Sequence, residues 1–161
     1  MTEIERIVAE MRRMNSGPAW HGPSLAESLD GITAAQAAQR PVSHGHTIYE
    51  LTHHTAAWMG EVRHRLEGRT SGNPDEGDWP AADAPVDERS WQEMLASLRA
   101  AQDALLEKAT QIDPAQLDAP VDPSASPPGN RVTHYILLHG SIQHAAYHAG
   151  QIMMVRRALG T

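Results

Sequence analysis

The stretch ERSWQEMLASLRAAQDALLEKATQI, residues 88–112, sets Trp91, Met94, Leu95, Leu98, Leu105, Ala109 and Ile112 on one face of a helix. Apolar residues recurring every three or four positions form a stripe that a helix can bury only against another element. The rest of the chain supplies partners of the same kind. Thr2 with Glu5 makes a capping box ahead of Ile4, Ile7, Val8, Met11 and Met14, and Gly17-Pro18 ends the run, which predicts a helix over 3–15. Thr47 with Glu50 opens another helix that runs to Gly68 with Ile48, Leu51, Thr55, Trp58, Met59, Val62 and Leu66 on one stripe. A last helix is expected over 132–158. Ser24 with Glu27 and Thr33 with Gln36 start two short helices in the long first connection. The Gly-, Pro- and Asp-rich segments 69–86 and 118–131 read as loops, with a short turn at Asp113, Pro114 and Gln116 between the third helix and the second loop. Four long helices, none able to bury its stripe alone, predict an all-α four-helix bundle, one domain over 1–161.

Composition supports helices and narrows the function. Phenylalanine is absent, and alanine and leucine carry most of the apolar load. The net charge is −7, and the 13 Lys and Arg form no run, so the chain lacks the electrostatic footprint of a nucleic-acid binder. No window approaches the ~20 apolar residues of a membrane span, and MTEIERIVAEMRRM alternates charge with hydrophobe instead of showing a signal-peptide core. A soluble, cytoplasmic protein is expected. With 0 cysteines there is no disulfide, thiolate ligand or cysteine nucleophile, so nitrogen and oxygen must hold any metal.

Histidine is the obvious source of nitrogen. His144 and His148 stand four apart in SIQHAAYHAGQI, one helical turn, on a stripe with Leu137, Ser141, Gln151, Ile152, Val155 and Leu159. His139 projects to the other side, and His134 lies about 15 Å along the axis from His144, too far to share an ion. On the second long helix His54 leans towards the inward stripe, whereas His53 and His64 face away. One imidazole from that helix and two from the last would make a three-histidine site with an open position, as catalytic rather than closed structural zinc sites have. Zinc and nickel both suit imidazole; iron or manganese stay open. Glu50, one turn before His54, can orient its ring, though its capping box competes for the same carboxylate.

Other conspicuous residues read as structural. Trp20 after a Gly-Pro turn suggests a hydrophobic plug, Trp58 and Trp91 have core spacing, and Gly140 and Gly150 inside the last helix suggest close helix packing. There is no G-x-S-x-G context and no phosphate loop.

At these residues the chain resembles the DinB-like superfamily, bundles grouped with YfiT-type metal-dependent hydrolases. The resemblance rests on PAWHGPSLAESLDGITAAQAA, HTIYELTHHTAAWMGEVRHRLEG and GSIQHAAYHAGQIMMVRRALG, and the last two are specific in combination. It implies an up-down-down-up bundle, frequently a homodimer, with nickel or zinc on one second-helix histidine, matching His54, and an H-x-x-x-H pair, matching His144 and His148. It does not fix one reaction, because related folds include enzymes that use bacillithiol or mycothiol as cosubstrate.

Two classes of function follow. In the first, a metal on His54, His144 and His148 activates water or a small thiol against a small-molecule substrate, as a hydrolase or an S-transferase. A hydrolase needs a general base; no convincing one is apparent, and Glu61, two turns beyond His54 on the same side, is the candidate that remains. In the second, the bundle binds a metal or ligand without catalysis, or serves as a dimerisation module.

Overall fold

The computed structural model describes residues 1–81, 84–124 and 131–161. Among them the chain is all-α: α1 (Glu3–Ser16), α2 (Leu25–Leu29), α3 (Ala34–Ala37), α4 (Ile48–Leu66), α5 (Glu88–Thr110) and α6 (His134–Leu159), with a 3-10 turn at Pro114–Gln116. The starts of these helices follow from local chemistry. Thr2, Ser24, Thr33 and Thr47 each accept from the backbone N–H three residues on while the Glu or Gln there reaches back, so the first turn's orphan donors are satisfied before any tertiary contact forms. Asp87 and Ser90 do the same for α5.

The last helix begins two residues later than expected, because Thr133 adopts an extended backbone and caps it, accepting from Ile136 N–H. Its other end closes at Gly160, whose φ of 78° is left-handed. There Gly160 N–H donates to Arg157 and Thr161 N–H to Arg156, the Schellman pattern, for which glycine is the residue of least strain.

Both α1 and α4 pack on α5 and on α6, so each long helix has two long neighbours, and the inward stripes meet in one core. Ile7, Leu25, Ile48, Leu51, Trp91, Leu105, Leu138 and Ile152 are fully buried there. Each such side chain contributes about 1.5–3 kcal/mol against leaving it in water. The connection between α1 and α4 is held by α2 against α1 and α6 and by α3 against α5 and α4. Trp91 ties it further, its indole N–H donating to Ile32 O at 2.8 Å from a fully buried position. No helix among the described residues is long and apolar enough to cross a membrane.

The structure departs from the sequence-based expectation at Trp20, Gly140, Gly150 and Trp58. Trp20 plugs nothing: its side chain is fully exposed in the turn before α2. Gly140 and Gly150 are not close-packing positions, since a Cβ at either would meet nothing within 4 Å. Trp58 leaves the core and stands half-buried at the α4–α6 seam, where its indole N–H finds a partner outside the helices.

Candidate metal centre

His54 on α4 and His144 and His148 on α6 meet across that seam. His144 Nε2 lies 3.1 Å from His54 Nε2 and 3.0 Å from His148 Nε2, and one nitrogen from each of the three falls within 4.8 Å of the others. His54 and His148 are buried and His144 is half-buried, so the cluster has one side towards solvent.

The outer ring nitrogens fix the orientation. His54 Nδ1 is 3.0 Å from the backbone carbonyl of Asp78 and 3.1 Å from its carboxylate Oδ1. A carbonyl only accepts, so Nδ1 carries the proton and Nε2 is left facing the cluster. His148 Nδ1 is likewise 2.6 Å from Gln151 Oε1, whose amide nitrogen in turn donates to the Tyr147 hydroxyl. Two Nε2 atoms stripped of protons thus converge on the third imidazole, which has one proton at most to share between them at that atom. Such a surplus of lone pairs in a buried space is what a divalent cation satisfies. His54, His144 and His148 can therefore hold a metal ion.

Electrostatics keep the pair on α6 ready for it. Burial first, then the neighbouring imidazoles of His148 and His54, push His144 down to about 4 against an upward pull from Asp78. Burial does the same to His148, also to about 4, with the Gln151 hydrogen bond and Asp78 opposing it and His54 and His46 adding to it. Both rings are neutral at pH 7, the form that ligates.

The surroundings differ from those expected. Glu50 does not orient His54. Its carboxylate takes the Thr47 backbone N–H at 2.9 Å, His46 Nδ1 at 3.3 Å and the Arg40 guanidinium, so every lone pair facing the helix start is committed. Burial pushes this carboxyl up, but the hydrogen bonds and charge of Arg40 and the Thr47 and His46 contacts outweigh it and hold it below the ordinary range. Asp78 fills the role instead. Its Oδ1 also accepts from Trp58 Nε1 at 2.6 Å, which brings that tryptophan to the site. Trp79 stacks its ring on His54 at 4.1 Å between centroids and on His46 at 3.7 Å, both nearly parallel.

Glu61 lies wholly buried but faces elsewhere. Its Oε1 accepts from Arg65 Nε at 2.8 Å and from Gly72 N–H at 3.1 Å, anchoring the loop after α4. His53 reaches Gly77 O and His139 lies tilted against the Tyr135 ring, both away from the cluster as their side of the wheel required.

Beside His144 the seam opens into a cleft of about 280 Å³ lined mostly by apolar groups, among them Trp58, Val62, Ile136 and Leu137. It gives the histidine cluster access to a small molecule.

The sequence matches the pattern of the DinB superfamily over residues 20–152, a span that includes the three histidines, Asp78 and Trp79. The chain belongs to the DinB superfamily. This DinB-superfamily chain is also similar in fold to a solved structure described as the conserved protein of locus from Enterococcus faecalis. The TM-score is 0.70 with 20% identity, covering 100% of this chain and 99% of that one. No curated protein matches it in sequence.

Proposed function

We propose that this DinB-superfamily chain is a metal-dependent enzyme that activates water or a small thiol at His54, His144 and His148 towards a small-molecule substrate. The observation that carries the reading is the pair of outer-nitrogen hydrogen bonds, to Asp78 and Gln151, that turn two Nε2 atoms inward on a half-exposed third. A nickel or zinc ion held there would supply Lewis acidity, lowering the pKa of a water or thiol that reaches it. The protein's own groups do the rest. Asp78 and Gln151 hold the rings in their ligating tautomers, Trp79 covers one face of His54, and the half-exposed side at His144 leaves access for a reactant. Transfer from a thiol is favoured over hydrolysis by the position of Glu61, whose Oε1 accepts from Arg65 and Gly72 and whose Oε2 lies 3.7 Å from the Arg69 guanidinium, a basic setting that suits a structural anion rather than a general base at the cluster.

Elemental analysis of the purified protein beside His148→Ala tests the reading, followed by titration of a small thiol such as 2-mercaptoethanol into cobalt- or nickel-loaded protein. About one ion per chain, lost in the variant, with an absorption band that shifts on adding thiol, is expected. No ion in either protein and no uptake on reconstitution would overturn it, and an ion whose spectrum ignores thiol would overturn the thiol branch.

A further inference from the structure

We infer that the cleft beside His144 takes an amphipathic organic anion, its apolar body against the α4–α6 seam and its carboxylate on Arg65. The inference rests on the preceding reading only in treating the histidine end as the reacting end. Arg65 and His144 both line the cleft, with Trp58 between them. The Arg65 guanidinium sits 5.5 Å from the Trp58 ring centroid, and that ring lies 6.2 Å from the His144 ring. With the Trp58 ring close to both, the guanidinium and the His144 imidazole stand within reach of the two ends of one small molecule.

The walls between them ask for apolar surface. Ile136 and Val132 are 54% and 39% exposed at the rim, an unusual state for β-branched aliphatics flanking a cavity. A cleft of about 280 Å³ is many times the space that admits a single water and has room for a small organic molecule. Gly140 keeps that space open, because its missing Cβ would meet nothing within 4 Å.

The charge at the far end decides the sign of the ligand. Arg65 is the charged side chain among the lining residues, and it is held rather than free to swing: Nε donates to Glu61 and Nη2 to Gly72 O at 2.7 Å. Nη1 takes no partner among the described residues. Glu61 is fully buried with its bonded oxygen turned to Arg65 Nε and Gly72 N–H, so the cleft sees the guanidinium. A fixed guanidinium at the end of an apolar cleft recognises a carboxylate and rejects a cation.

The test compares 4-phenylbutyrate with its uncharged amide, 4-phenylbutanamide, by calorimetric titration into metal-free and nickel-loaded protein. The acid should bind at least tenfold tighter than the amide in both forms. Arg65→Gln should bring that ratio to about one, and Gly140→Leu should abolish binding of both. The ratio is read instead of the affinity, because general damage from leaving Glu61 unpaired weakens acid and amide alike. Equal binding of acid and amide by the metal-free protein, or an acid preference that survives Arg65→Gln, would overturn the inference. An acid preference confined to the nickel-loaded form would also overturn it, since the carboxylate would then be on the ion. Failure of the protein to take up nickel leaves the metal-free titration as the deciding measurement, so the two readings fail separately.

Discussion

Asp78 meets His54 twice, with its backbone carbonyl at 3.0 Å and its carboxylate at 3.1 Å from the same ring nitrogen. One residue of the loop after α4 therefore sets both the tautomer and the tilt of the only candidate ligand that α4 contributes. The carboxylate raises the basicity of the ring and the carbonyl fixes its direction.

Removing the carboxylate alone separates these effects. Asp78→Ala should lower metal affinity by about tenfold, the low end of the 10–100-fold cost of losing such a partner, because the carbonyl stays. Competition against a chromophoric chelator reads the change directly. An affinity equal to the wild type would show that the carbonyl alone orients His54.

The depressed pKa values of His144 and His148 set a pH dependence for the metal-free protein. Both imidazoles fall from 6.5 to about 4 on folding. Between those values the unfolded chain binds more protons, so stability rises with pH. It is fully present above about 6.5 and is lost as the pH falls towards 4. Carboxylates such as Glu50, whose ordinary value is 4.5, add their own loss only lower down. Urea midpoints at pH 7.5, 6 and 5 should therefore fall in wild type and stay nearly level in a His144→Gln/His148→Gln variant.

Glu61 serves the fold. Its side chain is 0% exposed against Arg65 at 16%, and truncating one partner of a buried pair strands the other. Glu61→Ala should cost about 3–5 kcal/mol, seen as a lowered denaturant midpoint, while metal uptake stays that of the wild type. Loss of the metal with unchanged stability would return Glu61 to the site.

Two tryptophans that look alike in sequence should behave oppositely. Trp91→Ala empties a fully buried position and frees the Ile32 carbonyl, a cost of about 3–5 kcal/mol. Trp20→Ala removes a wholly exposed ring and should stay within about 0.5 kcal/mol. Thermal melts of the two variants check both.

The helices were legible because their signals are local. A hydroxyl three residues before a Glu or Gln needs no tertiary partner to be recognised, and all four such boxes formed. His144, His148 and His54 could be placed on facing stripes because helical period fixes direction. Asp78 and Trp79 could not, since a loop has no period and their reach to His54 depends on the path from Gly68 through Gly77, both at positive φ. Trp79, the single aromatic in the 69–86 loop, is the one mark that sets the pair apart. Glu50 misled because two plausible roles share one carboxylate, and only the positions of Arg40 and His46 decide between them. Gly140 misled for a related reason: a helical glycine signals either close contact or open space.

The near-parallel stack of His46, Trp79 and His54 bears on ion selectivity. A histidine free to rotate gives up about 0.5–1.5 kcal/mol of rotamer freedom when it becomes a ligand. His54, flat against an indole that is itself backed by a second ring, has already lost that freedom in folding. At that corner the cluster cannot reshape itself around an arriving ion, so any ion held there would be selected in part by radius and preferred geometry.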